Sequence, residues 1–422
     1  MAIKRIIPVS SGKGGVGKTT FAVNFSLALS EHGRCVLVDL DTGTSSVRNA
    51  IDVPVQKDLY HFFKKDEPLA GCITSLDWKL DPLGRFRNFG FVAGPLHLID
   101  DITNFGPDRK QQLIQAINGI DADYIVLDMK SGVDANVLDF LPWSNSGILV
   151  FTPHLPSATF AASDIVKAIL FRKLRLIFSK GSPFFETVSG KFDFWRLTNE
   201  LIDRVEDVYD PSIGNLDEFT TDLFASLGDH PIATTVASTI DEFRVYYLLN
   251  LFHGVDESFE TAVRPFVENV TRNVSSHCGI TNLGWINRSE AIHRANCERV
   301  PALLFTEKRR QPKPVEAWES ELENLRVTAI GLKPKTKVRR TVQAGGHPDD
   351  ATDHLRGQLD LLKSMFAQRR DDDYRANFEY VTQRALFTIN TRRAAEFGEP
   401  RIYRPGELLN QMYASSKARG LV

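Results

Sequence analysis

Apolar positions in the first 170 residues fall into short runs separated by glycine-rich or charged turns. Residues 3–9 form a β-branched run broken by Lys4, Arg5 and Pro8, a pattern that predicts a buried strand. Phe21, Phe25, Ala28 and Leu29 then recur at helical spacing up to Gly33 and predict a helix with that face on the core. Residues 35–38 and 123–127 predict further buried strands, each ending in an acid, and residues 147–153 predict another. A helix follows from Ser157 through Ala161, Ile165 and Ile169. Strand, helix, strand and helix are predicted again at residues 246–250, 259–274, 282–286 and 291–301. Such alternation predicts a doubly wound, mainly parallel α/β sheet.

Two stretches interrupt the alternation. In residues 171–240, Phe194, Leu197, Leu201, Ile202, Val205 and Val208 keep helical spacing until Asp210 and Pro211 break it, which predicts a largely helical insertion. After Phe305, Trp318, Leu322 and Leu325 share one helical face. Lys333, Lys335, Lys337, Arg339 and Arg340 then crowd five cations into eight residues ahead of Gly345, Gly346 and Pro348. Beyond them Leu355, Leu359, Leu362 and Phe366 make an amphipathic stripe, and residues 374–387 predict a further helix. The expected organisation is a core in two parts (1–170 and 241–305), an insertion (171–240), a basic linker (306–350) and a helical C-terminal extension (351–422).

Composition adds compartment and charge. Apolar residues make up 42% and charged residues 25% of 422, ordinary for a globular chain and unlike a disordered or collagenous one. No apolar run reaches membrane-spanning length, and the N-terminus lacks a signal-peptide pattern. Cys35, Cys72, Cys278 and Cys297 lie far apart without a C-x-x-C pair, as expected of reduced cytoplasmic thiols. The net charge of −2 hides an asymmetry: residues 306–422 hold 22 Lys+Arg against 16 Asp+Glu, so the rest is acidic. The run at 333–340 suits DNA or an anionic membrane surface by counterion release, or else a solvated linker. The final residues have few cations, so a membrane-binding terminal helix is not expected.

The chemistry lies in the turns. Gly12, Lys13, Gly14, Gly15, Val16, Gly17, Lys18 and Thr19 match G-x-x-x-x-G-K-[ST] without a mismatch, between a predicted strand and a predicted helix. Glycines let backbone N–H groups wrap phosphates, Lys18 neutralises them, and the Thr19 hydroxyl ligates Mg²⁺, which makes ATP with magnesium the expected ligand. Asp39 and Asp41, at i and i+2 on a strand end, are expected on one side, one for the magnesium shell and one for the attacking water. Asp128 closes a buried strand, placed to bind magnesium through water. No H-E-x-x-H or paired histidine spacing points to another metal.

The segment KGGVGKTT, with Lys13 ahead of the double glycine and Thr20 after Thr19, resembles the deviant phosphate loop of the MinD/ParA ATPases, in appearance nearest the FlhG/MinD branch. The resemblance covers most of residues 1–305 in fragments. It implies that Lys13 reaches a partner's phosphates in an ATP-dependent homodimer, that Asp41 serves slow hydrolysis, and that Asp39 senses metal or phosphate. It also implies that Asn250 reads the adenine edge, where the residue by itself suits a cap or turn equally. A switch of this kind positions a cellular machine through a protein partner or activator. Two features depart from it: Lys130 stands where a small residue or proline is usual, as a partner-facing charge or a plain loop lysine, and no helix precedes the first strand. A ParA-like nonspecific DNA binder and a weakly hydrolysing nucleotide-binding scaffold are the alternatives. Iron–sulfur carriers with the same loop use a C-x-x-C that is absent here.

Overall fold

The computed structural model describes residues 4–41, 46–96, 106–133, 135–138, 140–141, 145–177, 203, 214–252, 254–305 and 374–390. Eight strands form one sheet in the order β3-β4-β2-β5-β1-β6-β7-β8. They are β1 Arg5–Ser10, β2 Cys35–Asp39, β3 Thr74–Ser75, β4 Phe89–Val92, β5 Tyr124–Asp128, β6 Asn145–Phe151, β7 Arg244–Phe252 and β8 Gly279–Asn287. Neighbours pair in parallel except the two-residue edge strand β3, which runs antiparallel to β4. Every residue of β1, β2, β4 and β6 is buried, as expected of strands covered on both faces. β1 lies between β5 and β6, so the chain winds outward in both directions from it, and the turn after β1 opens at the switch point where such sheets bind ligands.

The helix Lys18–Ser30 departs from the amphipathic expectation. Phe21, Ala22, Val23, Asn24, Phe25, Ser26, Leu27, Ala28, Leu29 and Ser30 are all buried, so no face of it meets water. The sheet covers one side, and the helix Tyr374–Asn390 covers another, with Phe378 stacked on Phe21 at 6.3 Å. That second helix, part of the expected C-terminal extension, lies on β8: Arg384 Nε donates to the Asn282 carbonyl at 2.8 Å, and Val381 seats where Gly284 has no side chain. A Cβ on Gly284 would stand 2.9 Å from Val381 Cγ2, and the residue holds φ +131, so glycine permits both the approach and the backbone.

Residue 171, the expected start of the insertion, lies inside a helix. The helix Pro156–Ile177 runs through that point unbroken, and Leu216–Leu227 and Pro231–Asp241 are helices leading into β7. Asn215 caps the first of these by accepting from the amides of Asp217 and Glu218. The expected helical stretch at 194–208, the faces at 318–325 and 355–366 and the basic run 333–340 lie outside the described residues. Among those described, no helix is long and apolar enough to cross a membrane.

Candidate functional site

The turn after β1 forms a cradle. Gly15 (φ +81) and Gly17 (φ +82) sit in the left-handed region, and Gly12 lies so close to the helix Pro156–Ile177 that a Cβ would stand 2.2 Å from the Ala161 backbone. Gly14 abuts the Ser131 side chain, which brings the loop after β5 alongside. Gly17 starts the helix Lys18–Ser30 with no side-chain cap, so its first amides are turned to the cradle with the positive end of the helix dipole. Val16 is buried, and its carbonyl accepts from Asn250 Nδ2 at 2.8 Å.

Beneath the cradle lies a buried polar cluster. Lys18 Nζ contacts Asp128 Oδ1 at 2.5 Å, and Thr19 Oγ1 donates to Asp128 Oδ2 at 2.7 Å. Asp39 pairs in register with Asp128 across β2 and β5, and both acids are fully buried. Two carboxylates then share one ammonium, and burial together with the Asp128 charge pushes the Asp39 carboxyl up to about 7. Its oxygens are held by backbone amides, Oδ1 by Asp41 N and Oδ2 by Val47 N, each at 3.1 Å. Because β2 ends at Asp39, the strand-alternation argument does not reach Asp41, which lies in the following loop. Asp41 Oδ2 accepts from Ser46 Oγ at 3.2 Å, so both acids anchor the segment leading into the helix Ser46–Ala50.

Lys13 lies apart from this cluster. Its Nζ donates to Ser157 Oγ at 2.7 Å on the exposed face of the loop.

Beside Gly17 and Thr20 a cavity of about 550 Å³ opens past the ends of β6, β7 and β8. Asn250 lines it, with its Nδ2 committed to the P-loop carbonyl, while β7 continues beyond it to Phe252. His154, Arg288, His293, Asn296 and Phe378 also line it, and none of them was singled out from the sequence. A rule could have found two of these. Ligands gather just beyond the C-terminal ends of parallel strands, where His154 follows β6 and Arg288 follows β8. Nothing local marks Phe378, which comes from the helix Tyr374–Asn390. Thr20 Oγ1 faces Asn296 Oδ1 at 3.5 Å across the cavity wall.

The donor set suits a nucleotide with magnesium. The cluster offers only oxygens (the Thr19 hydroxyl and the carboxylates of Asp39 and Asp128), and it carries more negative than positive charge, which a divalent cation would relieve. The uncapped helix and the glycine backbone supply the anion side. Among the described residues no group of three or more His, Cys, Asp or Glu is arranged to hold a metal ion.

A glycine cradle at the switch point, an uncapped helix holding its lysine and threonine, and a strand-end acid define a P-loop NTPase. A family model named ParA, described as the NUBPL iron-transfer P-loop NTPase, matches residues 2–66. The septum site-determining protein MinD of Synechocystis sp. is 29% identical over 184 residues, 43% of this chain and 66% of that protein. The antiactivator FleN of Pseudomonas aeruginosa is 29% identical over 160 residues, 37% of this chain and 54% of FleN. MinD of Pyrococcus horikoshii, solved with Mg-ADP, overlaps 78% of this chain and all of its own at 16% identity and a TM-score of 0.42. By these matches the chain is similar to the ParA/MinD P-loop NTPases. It spans about half to two thirds of the length of the curated relatives it matches.

Proposed function

We propose that the chain is an ATP-operated dimerisation switch that hydrolyses ATP slowly and positions or regulates a cellular machine through a protein partner. The observation that carries this reading is the division of labour between the two loop lysines. Lys18 is buried on Asp128, committed to the phosphates of its own site. Lys13 is exposed, held by a serine hydroxyl that a phosphate would displace. A cation so placed serves a second copy better than its own cradle. Leu155 and Phe160, close in sequence to the Ser157 that holds it, are open to solvent. Such a surface is suited to burial once two chains close on nucleotide.

Within one chain the residues divide as follows. Gly12, Gly14, Gly15, Val16 and Gly17 present backbone to the phosphates, Lys18 neutralises them, and Thr20 and Asn250 lie toward the base. Thr19, Asp39 and Asp128 would hold magnesium, which supplies charge compensation at the β- and γ-phosphates. Asp41, tied to Ser46, is placed in a loop that can respond to the γ-phosphate and orient the attacking water. The names of the relatives, septum site-determining protein and antiactivator, support a role exerted through location and partners rather than through a product.

Light scattering after size exclusion with Mg-ADP and with Mg-ATP tests the proposal on wild type, Asp41→Ala and Lys13→Ala. The expected result is a dimer with Mg-ATP alone, persistent in Asp41→Ala and absent in Lys13→Ala. A mass that ignores nucleotide in all three overturns it.

A further inference from the structure

The helix Tyr374–Asn390 is separated from the rest of the described chain by 68 residues, yet it forms part of the wall of the nucleotide cavity. Its first turn is tied to the end of the core: Tyr374 Oη donates to the Ala302 carbonyl at 3.1 Å. Arg375 donates through Nη1 to the Leu303 carbonyl at 3.1 Å and through Nη2 to the Phe305 carbonyl at 2.7 Å. Leu303 is fixed in turn to the P-loop helix, its amide donating to Asn24 Oδ1 at 2.9 Å. Both ends of segment 306–373 are therefore anchored at one place on the core.

One turn further on, two buried side chains of this helix meet the cavity's wall, one by bonding a lining residue and one by lining it. Asn377 Oδ1 accepts from the Asn287 amide at 3.1 Å, and Asn287 lies within the cavity-lining run of Ile286, Asn287, Arg288, Ser289 and Glu290. Phe378 lines the cavity itself and stacks on Phe21, three residues after Lys18. An amide at the end of β8 that loses its acceptor must turn toward water, and the loop carrying Arg288 turns with it. We infer that Asn377 and Phe378 are positioning residues for nucleotide binding, so that nucleotide occupancy and the docking of the helix Tyr374–Asn390 stabilise each other. This inference rests on the nucleotide reading of the cavity, and reciprocity between the two events follows from linkage.

The test uses the full chain and fluorescent N-methylanthraniloyl-ADP with Mg²⁺. Wild type binds, Asn377→Ala binds about five- to tenfold more weakly, and Asn377→Asp, which keeps an acceptor oxygen, recovers most of the loss. Val381→Ala loosens the seat on Gly284 without touching the cavity; it lowers stability and keeps affinity within about twofold. Hydrogen exchange supplies the reciprocal readout: saturating nucleotide slows the amides of 374–390 in wild type and has no such effect in Lys18→Ala. Three results overturn the inference while leaving the nucleotide site intact: wild-type affinity in Asn377→Ala, equal losses in Asn377→Ala and Val381→Ala, or exchange at 374–390 that ignores nucleotide. A wild-type chain that binds no nucleotide overturns the cavity reading and this inference together.

Discussion

The two halves of the sheet on either side of β1 solve different recognition problems. On the β2 and β5 side, the proposed phosphate site gathers backbone amides, one lysine, one threonine and strand-end acids, nearly all within a few residues of a glycine loop or a strand end. On the β6, β7 and β8 side, the cavity proposed for the base is assembled from His154, Asn250, Arg288, His293 and Phe378, over 220 residues apart in the chain. A phosphate needs dense charge and many donors, which a single tight turn can supply. A base needs a shaped slot with a few polar edges, which takes side chains from several elements.

The comparison can be broken most severely on the phosphate side. Lys18→Ala removes the cation shared by Asp39 and Asp128; it should abolish nucleotide binding and lower stability by about 3–5 kcal/mol, measured by titration and urea unfolding. If binding survives, the cavity side carries more of the affinity than the geometry implies. Gly12→Ala should cost about 1–3 kcal/mol or more in the same unfolding assay, because its Cβ meets backbone of the neighbouring helix rather than a side chain that can swing away.

On the base side the effects are smaller and of another kind. Asn250→Ala frees the Val16 carbonyl and should weaken nucleotide about tenfold while inorganic triphosphate binds almost as before, read by competition with the fluorescent nucleotide. Equal weakening of both ligands would make Asn250 a support of the P-loop alone.

Lys173 sharpens the comparison from outside either site. Burial lowers its pKa well below the lysine value, and the opposing electrostatic pull of Cys278 is the smaller effect. The unfolded chain then holds a proton that the folded chain lacks. Stability should therefore rise with pH through a window that ends near 10.5, the ordinary value. Lys173→Met should remove that slope and stabilise the chain by about 1–3 kcal/mol near neutral pH, seen in urea unfolding across pH. The exposed pair Arg85–Glu31 sets the lower limit: Arg85→Ala should change stability by less than about 1 kcal/mol.

Legibility in the sequence follows the same division. The P-loop, the strand ending in Asp128 and the order of strands and helices were readable because each depends on local spacing. Asp41 was placed on a strand it does not occupy, since β2 stops two residues earlier, where Asp39 turns to cap the amides of Asp41 and Val47. The helix Lys18–Ser30 was read with one core face, of Phe21, Phe25, Ala28 and Leu29, whereas the fold also buries the polar Asn24, Ser26 and Ser30. These bond to the helix's own carbonyls, and Asn24 also to Leu303, which allows burial on every side.

What the chain determines by itself is the phosphate cradle and the doubly wound sheet around it. Glycine torsions, helix starts and buried strand runs are decided within a few residues by sterics and hydrogen bonding. What only the tertiary structure decided is the other wall of the site. Whether Asn377 meets the Asn287 amide, Phe378 meets Phe21 and Val381 finds the space at Gly284 depends on surfaces brought together from about 90 to 360 residues away. Packing of that range depends on complementary shape, and shape leaves no periodic trace in the sequence.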